Sequence, residues 1–431
     1  MNDTERDVLR WIEGNTDELI RILQQLVAVP SVYPHEGDCQ RVVAEMVRGV
    51  CDSVDVWEPD ASWLSQHPAF FLKNESYAGR PNVVGIVQGR GGGRSLILNA
   101  HVDVVDTGPL EAWKYPPWSG TVAEGKLYGR GSVDDKAALA AMIFVAQCLR
   151  RLGISPGGNL ILESAVDEEW GGGGTLATDH RGYRADAGIA FEPTALEICP
   201  ATRGGQAFRV TVPGKGAHPY RSYEGVSALE KAMPLLAALK VLEGDRQERF
   251  RTKLFERYPI FLPIVVGKIT ADIIPSKVPE RCVFEGLMGY SPDETYQAAR
   301  AELEGKVAAA AAEDPWLAAH PPTVEWHGLN KEGAQIPADH PFVEVMGESF
   351  TEVTGKQPTI RGFTAGCDLP LLIKYAQVPS VIFGPGELVV AHGSNEYVEI
   401  SQVIAAAKIV AITVLRWCGT SRALVGRSRP L

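Results

Sequence analysis

Four short apolar runs set the architecture this chain can adopt. Residues 95–99 (SLILN), 159–165 (NLILESA), 187–191 (AGIAF) and 379–383 (PSVIF) are apolar with little alternation, flanked by Gly or Pro, and separated by segments of helical pattern. A run without strict alternation suits a strand buried on both faces, as in a parallel sheet covered by helices. The chain therefore reads as α/β, with a central, mainly parallel sheet flanked by helices. Residues 137–152 (AALAAMIFVAQCLRRL) form a strong helix closed by Gly153. Residues 7–29 read as one helix. Leu19, Ile20, Leu23, Leu26 and Val27 fall at helical spacing, Thr16 is a candidate N-cap, and Pro30 is the stop.

Between 205 and 330 the pattern changes. Strands are expected at 207–212, 264–270, 282–289 and 323–328, and helices at 226–242 and 293–312. The order β-α-β-β-α-β is that of a ferredoxin-like α+β sandwich. A buried-type strand returns at Ser380. The sandwich therefore reads as an insertion, dividing the chain into 1–204, the insert 205–330, and 331–431. The basic segment 419–431 is expected to be frayed.

Composition excludes several functions. Lys+Arg 42 against Asp+Glu 53 gives a formal charge of −11, which argues against nucleic acid as a partner. No apolar run approaches the ~18–20 residues of a membrane span. The N-terminal residues show neither a basic start nor an apolar core of a signal peptide. Seven scattered cysteines without a C-x-x-C pair suggest reduced thiols. A cytoplasmic location is the expectation.

The chemistry gathers where the strand runs end. The first leads into His101-Val-Asp103, the second into Asp167-Glu168-Glu169-Trp170 and four glycines, and the third into Glu192-Pro193. The fourth leads through Gly384-Pro-Gly386 to Ala391-His392-Gly393, and Asp134-Asp135 opens the long helix. Ligands in open α/β sheets bind beyond the carboxyl ends of strands. Each acid alone fits a helix N-terminus or a solvated loop. Together they imply like charges held close, a repulsion that two cations would compensate. His nitrogen and carboxylate oxygen are zinc donors.

These residues carry a resemblance. The chain resembles the M20 metallopeptidase family, in its branch of acetylornithine deacetylase, succinyl-diaminopimelate desuccinylase and carboxypeptidase-like enzymes, from about Asp17 to Val410. The motifs are His101-Val-Asp103-Val-Val, Gly129-Arg-Gly-Ser-Val-Asp134-Asp-Lys136, Asp167-Glu-Glu169, Glu192-Pro193, Gly214-Lys-Gly-Ala-His218-Pro, and Ala391-His392-Gly-Ser-Asn-Glu396-Tyr. The resemblance implies two divalent metal ions, zinc first, with manganese or cobalt as alternatives. Asp134 would bridge them; His101 and Glu192 would complete one site, and Glu169 and His392 the other. Glu168 would be the general base, and Asp103 would orient His101. His218 would stabilise the oxyanion from the inserted domain, which the resemblance makes a lid and the interface of a homodimer.

The chain also departs from the family. Asp272-Ile-Ile274-Pro275 carries an acid where many relatives have Asn. Gly289 and the loop Gly366-Cys-Asp368-Leu369-Pro370 lack the arginines that usually anchor a substrate carboxylate. Either Arg203 or Arg361 substitutes, or the substrate is not a typical N-acyl-α-amino acid. The expected function is a dinuclear amidohydrolase, a deacylase of a small-molecule substrate. Alternatives are a dipeptidase or carboxypeptidase, a hydrolase of a carbamoyl or arylamine nitrogen, and a non-catalytic binding protein.

Overall fold

The structure is a computed structural model that describes residues 1–72, 76–271 and 274–422. The chain forms two units. One comprises Met1–Ala201, Ile336–Phe363 and the chain from Cys367 onward; the other comprises Thr202–Gln335 with Thr364–Gly366.

The first unit is built on a mixed sheet. Its strands are Ser53–Trp57 (β1), Asn82–Val87 (β2), Leu96–His101 (β3), Leu160–Ala165 (β4), Ala187–Ala190 (β5), Ile198–Thr202 (β6), Ile360–Phe363 (β7) and Ser380–Ile382 (β8). The order runs β1-β2-β4-β3-β5-β8-β6, with β7 beside β6. The four strands read from the sequence are the four central ones. β3 pairs in parallel with β4 and β5, and β5 with β8. All their residues are buried, which is why they show no polar alternation. The expectation of a mainly parallel sheet holds at this centre. Outside it, β1–β2, β2–β4 and β8–β6 are antiparallel.

Helices Lys136–Arg151, Gly37–Val50 and Ile400–Cys418 pack on β2, β3 and β4, while Gly173–Arg181 and Leu369–Lys374 pack on β4, β5 and β8. Lys136–Arg151 is apolar nearly all round because it is buried nearly all round. Its one buried cation, Lys136, donates to the carbonyls of Leu26 (3.0 Å) and Val29 (2.8 Å), just before Pro30. The expected single N-terminal helix is two, Asp3–Gly14 and Thr16–Val27. Asn15 leaves helical geometry between them and donates its side-chain amide to the Trp11 carbonyl, and Thr16 is the first helical residue rather than the cap.

Contrary to expectation, one helix, Ile400–Cys418, is apolar and long enough by composition to cross a membrane. It packs against Lys136–Arg151 and Pro341–Thr354 with most of its residues buried, as a core helix does. Part of the segment expected to fray is also ordered: Thr420–Arg422 pairs with Ile154–Pro156. The rest of that segment lies outside the described residues.

The second unit carries strands Gly204–Pro213, Ile264–Ala271, Arg281–Tyr290 and Thr323–Lys331, with helices Ala228–Arg249 and Tyr296–Ala312. All pairings are antiparallel, and taking the four strands in chain order the sheet runs second, third, first, fourth. This is the ferredoxin-like arrangement, with a core of Phe208, Val210, Leu235, Leu239, Phe284 and Leu303.

The first unit also buries acids that are not part of its strand-end cluster. Burial, with Glu163 and Asp368 nearby, pushes the Asp179 carboxyl up to about 9. Burial likewise pushes Glu163 up to about 7, against the hydrogen bonds it accepts from Asn99 and Thr178. The folded chain keeps a proton on Asp179 that the unfolded chain releases near pH 4, so this contribution to stability is full below pH 4 and declines as pH rises toward 9. Asp179→Asn abolishes that titration. It should raise the thermal midpoint little at pH 5 and progressively more toward pH 9. Equal shifts at both pH values in thermal unfolding would show that the carboxyl is not held neutral.

Candidate metal centre

Because β3, β4, β5 and β8 are parallel, their carboxyl ends share one edge of the sheet. His101 is the last residue of β3, Glu168 and Glu169 follow β4, Glu192 follows β5, and the loop after β8 returns His392. Asp134 stands two residues before the helix that crosses back over the sheet. His101, Asp134 and Glu192 offer one ligand atom each, all within 4.8 Å of one another, and so do Asp134, Glu169 and His392. Asp134 belongs to both groups. Its Oδ1 lies 3.0 Å from His101 Nε2 and its Oδ2 3.3 Å from His392 Nε2. His392 Nε2 is also 3.0 Å from Glu169 Oε2.

The electrostatics follow from that crowding. Burial and the Asp134 charge push Glu169 up to about 7. Burial, then Asp134 and Glu168, push Glu192 well above the carboxylate range. Burial opposes ionisation of Asp134, but the two imidazoles outweigh it and hold that carboxyl low. Burial opposes protonation of His101, but Asp103 and Asp134 raise it well above its usual value. Hydrogen bonds to Asp134 and Glu169 raise His392 to about 10. Asp135 is 1% exposed, and neither of its carboxylate oxygens has a hydrogen-bond partner. The protein buries more negative charge here than its own cations neutralise, and the donors are His nitrogen and carboxylate oxygen. Both facts fit divalent metal ions.

The surrounding residues hold this geometry. His101 Nδ1 meets the Asp103 carbonyl oxygen at 3.0 Å, and the Asp103 carboxylate stands 3.6 Å away. That carboxylate also accepts the backbone N–H groups of Glu168 (3.1 Å) and Glu169 (2.9 Å), so Asp103 fixes the backbone of both residues as well as facing the imidazole. Gly384 crosses the Glu192 backbone so closely that a Cβ there would lie 2.5 Å from the Glu192 carbonyl oxygen.

A buried pair that the sequence reading did not single out ties the loops together. Arg130 Nη1 donates to Glu396 at 2.6 Å, and both side chains are almost fully buried. The other oxygen of Glu396 accepts the N–H groups of Val133 and Asp134. Arg130 Nη2 donates to the carbonyls of Asp106 (3.0 Å) and His392 (3.2 Å). Both residues lie inside the motifs already noted. The signal was a paired Arg and Glu within two ligand loops, but sequence alone does not pair residues so far apart.

The remaining candidates fall differently. His218 is an exposed residue of the second unit, where its Nδ1 accepts the Tyr220 N–H. Asp272 lies outside the described residues. Arg203 also belongs to the second unit. It donates to the carbonyls of Thr364 (2.6 Å) and Phe261 (2.8 Å), and a Cβ on Gly289 would lie 3.3 Å from its Nη1. Arg361 meets Glu197 and donates to the carbonyls of Gly362 and Thr194.

Fold, donor set and strand-end geometry together define a metallohydrolase of the zinc-peptidase type. The profile of Peptidase family M20/M25/M40 matches residues 97–416, and the chain belongs to that family. It is a metal-dependent hydrolase of amide-type bonds. It is 28% identical to the N-formyl-4-amino-5-aminomethyl-2-methylpyrimidine deformylase of Halalkalibacterium halodurans, over 97% of this chain and 98% of that protein. It is also 28% identical to the protein of the same name from Bacillus subtilis, over 95% of this chain and 97% of that one. Among solved structures, aminopeptidase PepT of Bacillus cereus superposes with a TM-score of 0.72 at 20% identity, over 93% of this chain and 98% of that one, which establishes the shared fold.

Removing one partner of a buried charge pair leaves the other uncompensated, at about 3–5 kcal/mol. Glu396→Ala and Arg130→Ala should each destabilise by that order. The double variant should be destabilised by clearly less than the sum of the two. Additive effects in denaturant unfolding would show that the pair is not coupled.

Proposed function

We propose that this enzyme hydrolyses the amide bond of a short N-acyl group, formyl in the first instance, on a small amine that bears no carboxylate. His101, Asp134 and Glu192 would hold one divalent ion, and Asp134, Glu169 and His392 the other. The observation that carries this reading is the Asp134 carboxylate, which turns one oxygen to each group. When bound, two such ions supply a Lewis acid for the scissile carbonyl and lower the pKa of a shared water.

The protein's own residues supply the rest. Glu168, fixed through its backbone by Asp103, takes the proton of the attacking water and returns it to the leaving nitrogen as the C–N bond breaks. The acyl group leaves as its acid and the amine is released. Asp103 and the Arg130–Glu396 pair hold the ligand loops in register before substrate arrives. The family resemblance assigns the oxyanion donor to His218, supplied by a second copy of the chain.

Two lines support an amine without a carboxylate. Arg361 is engaged by Glu197, and no arginine stands at 289 or within 366–370. The two deformylases carry in their names a formylated aminomethylpyrimidine, which has no carboxylate. The competing reading, a dipeptidase or carboxypeptidase, has Arg203 as its anchor. N-formyl amines and dipeptides assayed side by side decide between them.

Glu168→Gln tests the base. It should retain both metal ions per chain while kcat falls about 10³-fold. Metal analysis with steady-state kinetics reads both quantities, and full turnover in the variant would remove Glu168 from the mechanism.

Homodimerisation through the insert is part of the same proposal. Helix Ala228–Arg249 exposes Leu229, Met233 and Val241 along one stripe, and edge strand Ile264–Ala271 exposes Val265 and Ile269. An apolar stripe and an open edge on one unit suit a second copy of the chain. Light scattering should give twice 46.6 kDa for the protein and 46.6 kDa for Met233→Glu/Val241→Glu. Unchanged mass in the double variant would place the interface elsewhere. The seven cysteines are buried and none is joined in a disulfide, and we assign the enzyme to the reducing cytoplasm.

A further inference from the structure

Trp170 is the residue after Glu169. It is 52% exposed, the only tryptophan among the exposed large apolar side chains of the described residues. A large aromatic surface left in water is unfavourable, and an exposed Trp that is also held in place calls for a function. Trp170 is held. Its ring lies 5.4 Å from that of Tyr33, tilted by 34°. Tyr33 is fixed in turn. Its N–H donates to the Val104 carbonyl at 3.2 Å, and the Arg80 guanidinium lies 4.6 Å from its ring centre. Arg80 is anchored by Glu36 through two bonds of 2.7 Å.

These contacts also locate the ring. Val104 lies three residues beyond His101 at the end of β3, and Trp170 follows the ligand loop of β4. The aromatic pair therefore stands at the carboxyl-end edge that carries the metal cluster. The Glu169 carboxylate beside Trp170 meets His392, the one member of the cluster with a largely exposed side chain (52%). Trp170 is thus an exposed side chain on the same sheet edge, next in the chain to a residue that meets the exposed His392.

We infer that Trp170 is a specificity-determining residue, a stacking platform for a planar aromatic ring on the amine half of the substrate. This rests on the deacylase reading above and deepens it. An electron-poor, uncharged heteroaromatic ring such as an aminopyrimidine suits the electron-rich indole face. The substrate class becomes N-acyl aminomethyl heteroarenes. Tyr33 positions the platform and makes no substrate contact.

The test pairs two formamides of similar size, N-(pyrimidin-5-ylmethyl)formamide and N-(cyclohexylmethyl)formamide, with metal-loaded wild-type, Trp170→Phe and Trp170→Leu. Wild-type should favour the aromatic substrate in kcat/KM by on the order of tenfold. Trp170→Leu should lose that preference mainly through KM, and Trp170→Phe should restore most of it. Equal losses on both substrates, or no change in preference, would overturn the inference, because a merely structural tryptophan has no reason to tell the two rings apart. A second readout does not need turnover. Pyrimidin-5-ylmethanamine should quench the tryptophan fluorescence of wild-type and not that of Trp170→Phe, and cyclohexylmethanamine should quench neither. Trp170-dependent quenching without formamide hydrolysis would refute the acyl assignment and leave the platform standing. Formamide hydrolysis with no Trp170-dependent preference or quenching would do the reverse.

Discussion

Like charges confined out of water repel, and the first unit is arranged around that repulsion. Asp134, Asp135, Glu168, Glu169 and Glu192 converge at one edge of one sheet. Left alone they would take up protons, and the raised carboxyls of Glu169 and Glu192 show the tendency. The fold answers in two ways. Two imidazoles face Asp134 directly. Around them, backbone N–H groups and the Arg130–Glu396 pair fix the loops so that the acids cannot drift apart. The residual imbalance is the driving force for taking up cations.

The central sheet and the crossing helix were legible because burial on both faces writes a local signature. Residues 95–99 and 187–191 carry that signature whatever their partners are. Strand direction at the flanks was not legible. The antiparallel pairing of β1 and β2 depends on a return path that no local pattern records. The break at Asn15 was also hidden, since Gly14-Asn15 leaves the apolar spacing of both helices almost continuous.

The site divides the same way. The clustered acids and histidines were readable because each follows a readable strand or stands before a readable helix. Pairings across long sequence separations were not. Arg361 meets Glu197 across 164 positions of the chain, and Arg130 meets Glu396 across 266. Trp170 stood in plain view beside Glu169, but only its exposure and its packing on Tyr33 distinguish it from a core tryptophan.

The position of β8 has a consequence for how the chain reaches this state. Ser380–Ile382 lies between Ala187–Ala190 and Ile198–Thr202, yet the whole insert separates it from them in the chain. During synthesis the sheet therefore waits with a gap at its centre. Two apolar strand edges stay unpaired until the last part of the chain emerges. Such long-range closure is slow, and open edges invite the wrong partner. The step most exposed to aggregation is thus the arrival of one three-residue strand, and the loop behind it brings His392 to the cluster last.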